Sequence, residues 1–329
     1  MEDPRAAERV PRGRATQGRR IVVLGGTGLL GAEIARCSLE LDDAVTILSR
    51  RAPDEATSAM LAGARILTGD ATDAASLSLA LKGATHVVFA LGAPTPAASD
   101  AERSAELLVL DAVLATLDVD GEVRLTYLSS GGAVYGDAPS LPVDEDAACS
   151  PRSPYAETKL AAEQKVCAAA ARGAAARVLR VGNVYGARQR HDRGQGLVAT
   201  MLHAEATGAP VVVFGTGDAV RDYVDVRDVA EAVVALQDLG GAPVLNVGTG
   251  VGHSIYDVHK IVETVTGGSV ALRHETERAT DVRAVVLDCT RLRNLIDWQP
   301  RSLETGVADA FQAMRAPARA RGGAPIGAG

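Results

Sequence analysis

Aromatic side chains are scarce in this chain: three Phe, one Trp and six Tyr among 329 residues. Without a run of them there is no platform on which unpaired bases could stack. A formal net charge of -7 supplies no general pull on a polyanion, so nucleic acid is not an expected partner. Cysteine is scarce as well. Cys37, Cys149, Cys167 and Cys289 form no close pair, which argues against a zinc knot or a disulfide frame and reads as reduced thiols of a cytoplasmic protein. The six histidines show no metal-ligand spacing such as His-Glu-x-x-His, so no metal is expected. No apolar run approaches the roughly 18 residues that a membrane span needs, and a membrane is not an expected partner. Residues 1 to 18 lack the apolar centre of a secretory signal and read as a disordered tail, as do residues 316 to 329, rich in Ala, Pro and Gly.

What is abundant is apolar surface, 47% of residues, and glycine, 34 of them. The first glycines are placed where they carry chemistry. Arg20-Ile21-Val22-Val23-Leu24 is a short β-branched apolar run, and it breaks into Gly25-Gly26-Thr27-Gly28-Leu29-Leu30-Gly31 before apolar spacing that suits a helix. Strand, glycine turn and helix form a dinucleotide loop: the first glycine turns the chain, the second lets backbone approach a pyrophosphate, and the third lets helix and strand pack closely. Gly25, Thr27, Gly28, Leu29 and Gly31 are therefore the expected cofactor cradle, with the helix N-terminus aimed at the phosphates.

The following chain alternates strand and helix. Strands are expected at 44–48, 64–70, 85–92 and 124–128, helices at 74–81 and 100–117, and together they imply right-handed crossovers and a parallel sheet. The second strand ends at Ser49-Arg50-Arg51, where an acid would hold the adenosine ribose of NAD and an arginine the extra phosphate of NADP. A guanidinium grips that phosphate with charge-assisted hydrogen bonds, so Arg50 and Arg51 favour NADP(H), with NAD(H) the alternative. Ligands of such sheets lie beyond the strand ends, where Asp70 and Gly92 sit, and small residues from Ala90 through Leu91 to Ala93 leave room for a flat cofactor.

Ser153-Pro154-Tyr155-Ala156-Glu157-Thr158-Lys159 opens another helix, and the spacing of four puts Tyr155 and Lys159 on one face. A free tyrosine hydroxyl titrates near pH 10, and a neighbouring ammonium stabilises its phenolate. Moving the value by about 3 units takes roughly 4 kcal/mol, within reach of one lysine and a nicotinamide cation.

The ordered set Gly25-x-x-Gly28-x-x-Gly31, Asp70, Ser129-Ser130 running into Val134-Tyr135-Gly136, and Tyr155-x-x-x-Lys159 resembles the extended short-chain dehydrogenase/reductases, specifically the NAD(P)-dependent nucleotide-sugar epimerases, dehydratases and ketoreductases. The resemblance continues through Arg180–Gly186, Phe214–Gly217, Arg221–Val224, Asp228, Asn246–Gly250, Arg278-x-x-Asp281 and Trp298-Gln299-Pro300, covering about residues 20 to 310. It implies a doubly wound α/β (Rossmann) fold over 19–181, and a smaller substrate-binding region over 182–315 from which about 225–247 returns to the core. It implies that Tyr155 is the acid/base, that Lys159 tunes it and binds the nicotinamide ribose, that Asp70 and Ala71 touch the adenine, and that Ala90, Leu91 and Gly92 lie along the cofactor. Asn183, Arg221, Arg278 and Asp281 would hold a nucleotide-sugar substrate. A homodimer is usual in that family.

Two departures matter. Gly131 stands where the family places a Ser or Thr to hydrogen-bond the reacting oxygen, which leaves Ser130 as the nearest substitute. Arg50-Arg51 stand where epimerases carry an acid. These tilt the expectation to NADPH-dependent reduction of a nucleoside-diphosphate 4-keto-hexose, with an NAD-dependent 4-epimerase and a non-catalytic dinucleotide-binding regulator as alternatives. The segments 186–208 and 251–293, with scattered charges, are expected to be irregular and to build the substrate cap.

Overall fold

The computed structural model describes residues 18–92, 99–117, 123–191, 196–278 and 280–315. Of the two expected tails only Gly18 falls among them, and Ala93 lies outside.

Seven strands make one parallel sheet: β1 Arg20–Leu24, β2 Ala44–Ser49, β3 Arg65–Thr68, β4 His86–Phe89, β5 Arg124–Ser130, β6 Ala176–Val181 and β10 Val244–Val247, in the order β10-β6-β5-β4-β1-β2-β3. All six pairings are parallel. β1 and β4, at the middle of the sheet, are near-continuous Val, Ile, Leu and Phe because both faces are covered. On one face α1 (Leu29–Leu39) and α8 (Val226–Leu236) close a core around Ile21, Val23, Ile34 and Val233. On the other, α3 (Ala74–Leu81), α4 (Asp100–Leu114) and α6 (Pro154–Ala171) close a second around Val22, Phe89, Leu110 and Val166. The order reverses between β1 and β4, so a crevice opens beyond their carboxyl ends.

Local chemistry sets the helix starts. Ser99 and Glu102 form a capping box on α4, Ser153 Oγ accepts the Ala156 N–H to start α6 with Pro154 in its first turn, and Asp225 accepts the Arg227 N–H at α8. Gly173, at φ +103°, reverses the chain after α6.

The structure differs from expectation at several boundaries. β5 runs two residues further, to Ser130; β4 stops at Phe89, and β3 stops at Thr68, where Asp70 turns back to accept from Thr72. The helix expected to reach 117 ends at Leu114. The segments expected to be irregular contain α7 (Leu197–Thr207), α9 (Ile255–Thr266, capped by Ser254), and the short strands β11 (Gly252–His253), β12 (Leu272–Glu275) and β13 (Ala284–Val285). With β7 (Asn183–Tyr185), β8 (Val211–Phe214), β9 (Val220–Asp225) and α11 (Leu303–Arg315) they bury a third core around Tyr185, Met201, Val258 and Val307. Periodicity is weak there because the strands are two to six residues long and pair in two small sheets.

Candidate functional site

Between β1 and α1 the backbone is packed too closely for side chains. Gly25 has φ +84°, and a Cβ there would lie 2.8 Å from the Ala90 carbonyl oxygen. A Cβ on Gly31 would collide with the Gly25 carbonyl. Gly28, whose N–H donates to that carbonyl at 3.0 Å, sits at the start of α1 with no side-chain cap, so the first N–H groups of the helix face the crevice uncovered by a capping side chain. Thr27 and Ser49 hydroxyls meet at 2.9 Å, tying the loop to the end of β2.

At that end Arg50 and Arg51 are exposed. Arg50 lies within electrostatic reach of Asp70 and Glu102, so its charge is partly answered by carboxylates of the protein. The backbone N–H and hydroxyl of Thr72 hold Asp70 below the ordinary carboxylate range, with Arg50 a smaller cause. Ala71 follows in the same turn.

The next wall is β5 and α6. Tyr155 is half-buried near the start of α6, and Lys159, one turn on, is buried with its Nζ 5.9 Å from the Tyr155 ring centroid. Lys159 is not a free ammonium: Glu106 Oε1 of α4 accepts from it at 2.7 Å. Ser129 is buried and donates to Glu163, which also takes both Nε and Nη2 of Arg180. Ser130 ends β5 on the cleft wall. Gly131 does not line the cleft. A Cβ there would face Leu287 at 2.9 Å and the Arg180 carbonyl oxygen at 3.1 Å, whereas one on Gly132 would meet Asn183 Oδ1. The hydroxyl missing at 131 is thus missing from a packed position, while Ser129, Ser130 and Ser153 line the cleft with Tyr155.

The opposite wall comes from β7, β9, Arg278 and residues 280–282. Asn183, Arg221, Arg278 and Asp281 all line the same cleft of about 630 Å³ as Ala90, Leu91, Gly92, Leu29, Ser130, Tyr155 and Lys159. Arg221 makes no ion pair with a described residue; its guanidinium donates to the carbonyls of Val220 at 2.9 Å and Val282 at 2.6 Å, and burial pushes its pKa down. Arg278 lies flat over the Phe214 ring, 3.4 Å from the centroid. Both cations are therefore held in place on the cleft wall.

Gly25, Thr27, Gly28, Gly31, Arg50, Arg51, Asp70 and Ala71 are not on that wall; they follow the ends of β1, β2 and β3. Sequence reasoning missed Glu106, Arg152 and Gln189, of which the last two also line the cleft. Glu106 and Lys159 are 53 residues apart, and only the fold brings them together. A second cleft of about 620 Å³ shares Tyr223 with the first but contains neither Tyr155 nor Lys159, so the candidate chemistry lies in the first. Among the described residues no cluster of His, Cys, Asp and Glu could hold a metal ion, and no helix is long and apolar enough to cross a membrane.

A family model described as the NAD dependent epimerase/dehydratase family matches residues 21–248. The UDP-glucose 4-epimerase of Mycolicibacterium smegmatis is 35% identical over 225 residues, 61% of this chain and 69% of that protein. That of Corynebacterium glutamicum is 30% identical over 319 residues, 89% and 94% of the two chains. The structure of Thermus thermophilus UDP-glucose 4-epimerase in complex with NAD superposes with a TM-score of 0.80 at 28% identity, covering 90% of this chain and 99% of that one.

Proposed function

Because the chain belongs to the NAD dependent epimerase/dehydratase family, we propose that it inverts C4 of a uridine-diphosphate hexose with a retained NAD(H). The observation that carries this reading is the single cleft in which Tyr155 and Lys159 face Asn183, Arg221, Arg278 and Asp281. The backbone cradle fits a dinucleotide, since glycines at 25 and 31 let the loop, β4 and α1 pack backbone to backbone, and the start of α1 at Gly28 carries no side-chain cap. Gly25, Thr27, Gly28, Leu29 and Gly31 would hold the phosphates, Asp70 and Ala71 the adenosine end, and Ala90, Leu91, Gly92 and Lys159 the nicotinamide end. Bound there, a nicotinamide supplies reversible hydride acceptance at a carbinol carbon.

The protein's own part is proton movement and orientation. Tyr155 takes the proton from the C4 hydroxyl and returns it to the same oxygen after the sugar presents its other face. Ser130, on the cleft wall, would donate a hydrogen bond to that oxygen in place of the side chain absent at 131. Arg221 and Arg278 hold the diphosphate, and Asn183 and Asp281 the nucleotide and sugar hydroxyls. Anchoring the substrate through its diphosphate would let the hexose ring turn between the two orientations in which C4 can exchange hydride.

Comparison with 4-epimerases turns the expectation away from reduction toward epimerisation. A second reading, NADPH-dependent reduction of a 4-keto sugar, keeps one observation in its favour, the exposed pair Arg50 and Arg51. It is weakened by the nearby charges of Asp70 and Glu102, which a 2′-phosphate would also meet. Incubating the purified protein with UDP-glucose and no added cofactor separates the two: UDP-galactose should form, with NAD(H) released on denaturation. Loosely held NADP(H) with consumption of NADPH by a 4-keto sugar would establish the reductase instead.

A further inference from the structure

The ammonium beside Tyr155 is part of a buried group of three. Lys159 Nζ donates to Glu106 Oε1 at 2.7 Å, to Tyr127 OH at 3.2 Å and to the Leu128 carbonyl at 3.3 Å, and Tyr127 OH donates to the same Glu106 oxygen at 2.7 Å. Lys159 is 4% exposed, Glu106 5% and Tyr127 0%. A Cβ on Gly92 would lie 3.0 Å from the ammonium and 3.6 Å from Glu106 Oε2, so the group sits directly under the cleft wall at Gly92. Burial, then Glu106, hold Tyr127 well above its ordinary pKa, and it stays a neutral donor.

An ammonium with a carboxylate in contact presents at 5.9 Å the field of a dipole and not of a unit charge. We propose that Glu106 is a positioning residue for proton transfer: it fixes Lys159 against β5 and offsets its charge, so that the carboxylate–ammonium pair, and not lysine alone, sets the ionisation of the Tyr155 phenol. This rests on Tyr155 being the acid/base of the proposed reaction. The other charged groups around the phenol are accounted for. Glu163, one turn further along α6, is engaged by Arg180 of β6. Arg152, Arg221, Arg278 and Asp281 belong to the remaining cleft walls.

The test is an ultraviolet difference titration that isolates Tyr155 by subtracting a Tyr155→Phe variant, run on the wild type and in a Glu106→Gln background. With the compensating carboxylate gone, the Tyr155 ionisation midpoint should fall by about one pH unit. Glu106→Asp, which withdraws the charge by one methylene, should move it the same way by less. A folded Gln variant whose midpoint is unmoved or raised overturns the proposal, even if its Tm falls, since a purely structural role would cost stability alone. Should the Gln variant fail to fold, the Asp variant decides by the same criterion. No nucleotide sugar or turnover enters the measurement, so its result is independent of whether the epimerase assay succeeds.

Discussion

At the scale of single residues the proposed reaction reduces to one phenol. Tyr155→Phe keeps the ring that packs at the cleft wall and removes the only atom of that side chain that can exchange a proton with the sugar. Its turnover is expected to fall by roughly 100- to 10,000-fold, with bound dinucleotide retained and KM little changed. Steady-state kinetics with quantification of the released cofactor check this, and an active Phe variant would remove Tyr155 from the mechanism. The glycine loop and the Tyr155–Lys159 pair were legible in the sequence because their meaning depends on local spacing. Glu106 was not, because nothing local marks a carboxylate on α4 as the partner of a lysine on α6. Arg221 was legible as a cleft cation, but its bond to the Val282 carbonyl depends on the pairing of β9 with β13.

Among the elements, α6 carries most of the chemistry, and its start is set by a hydroxyl. Ser153 Oγ accepts the Ala156 N–H at 3.2 Å, fixing the first turn in which Tyr155 lies. Ser153→Ala should lower the free energy of unfolding by about 1 kcal/mol, and Ser153→Gly by only a few tenths. Urea unfolding of the two variants distinguishes this from a general loss at the cleft wall, for which Gly would be the worse substitution. β1 and β4 were readable as elements because they are covered on both faces and run almost wholly apolar. The small strands β7 to β9 and β11 to β13 were not. They are short, several carry charged residues such as Arg221, Asp222 and Arg273, and their pairing joins segments far apart in the chain.

For the whole molecule, the pH dependence of stability follows from which carboxylates the fold holds down. Asp54, Asp70, Asp73, Asp257 and Asp288 all lie below their ordinary pKa because hydrogen bonds from Thr57, Thr72, Ser76, Ser254 and Thr290 favour their charged forms. A depressed folded-state value means stability that is present above the unfolded value and lost as pH falls through the folded one, so this contribution should disappear below about pH 4. Asp228 has the opposite sign. Burial raises it to about 6, so the folded state takes up its proton first, and its contribution is full at low pH and lost as pH rises through about 6. Urea midpoints from pH 7 to 3 should fall steeply only in the lowest unit. Relative to wild type, Asp228→Asn should lose ground as pH drops from 6 to 4; parallel curves would contradict the assignment.

The doubly wound architecture was legible from alternating strand and helix signals. The choice between epimerase and reductase was not, because it turns on whether reducing equivalents leave the cleft, which residue identity at Arg50 and Arg51 does not decide. That choice is tested most directly with UDP-glucose carrying deuterium at C4, incubated with the protein in ordinary water and without added cofactor. UDP-galactose that retains the deuterium on C4 is the predicted product, and absence of the epimer, or loss of the label to solvent, would contradict the account.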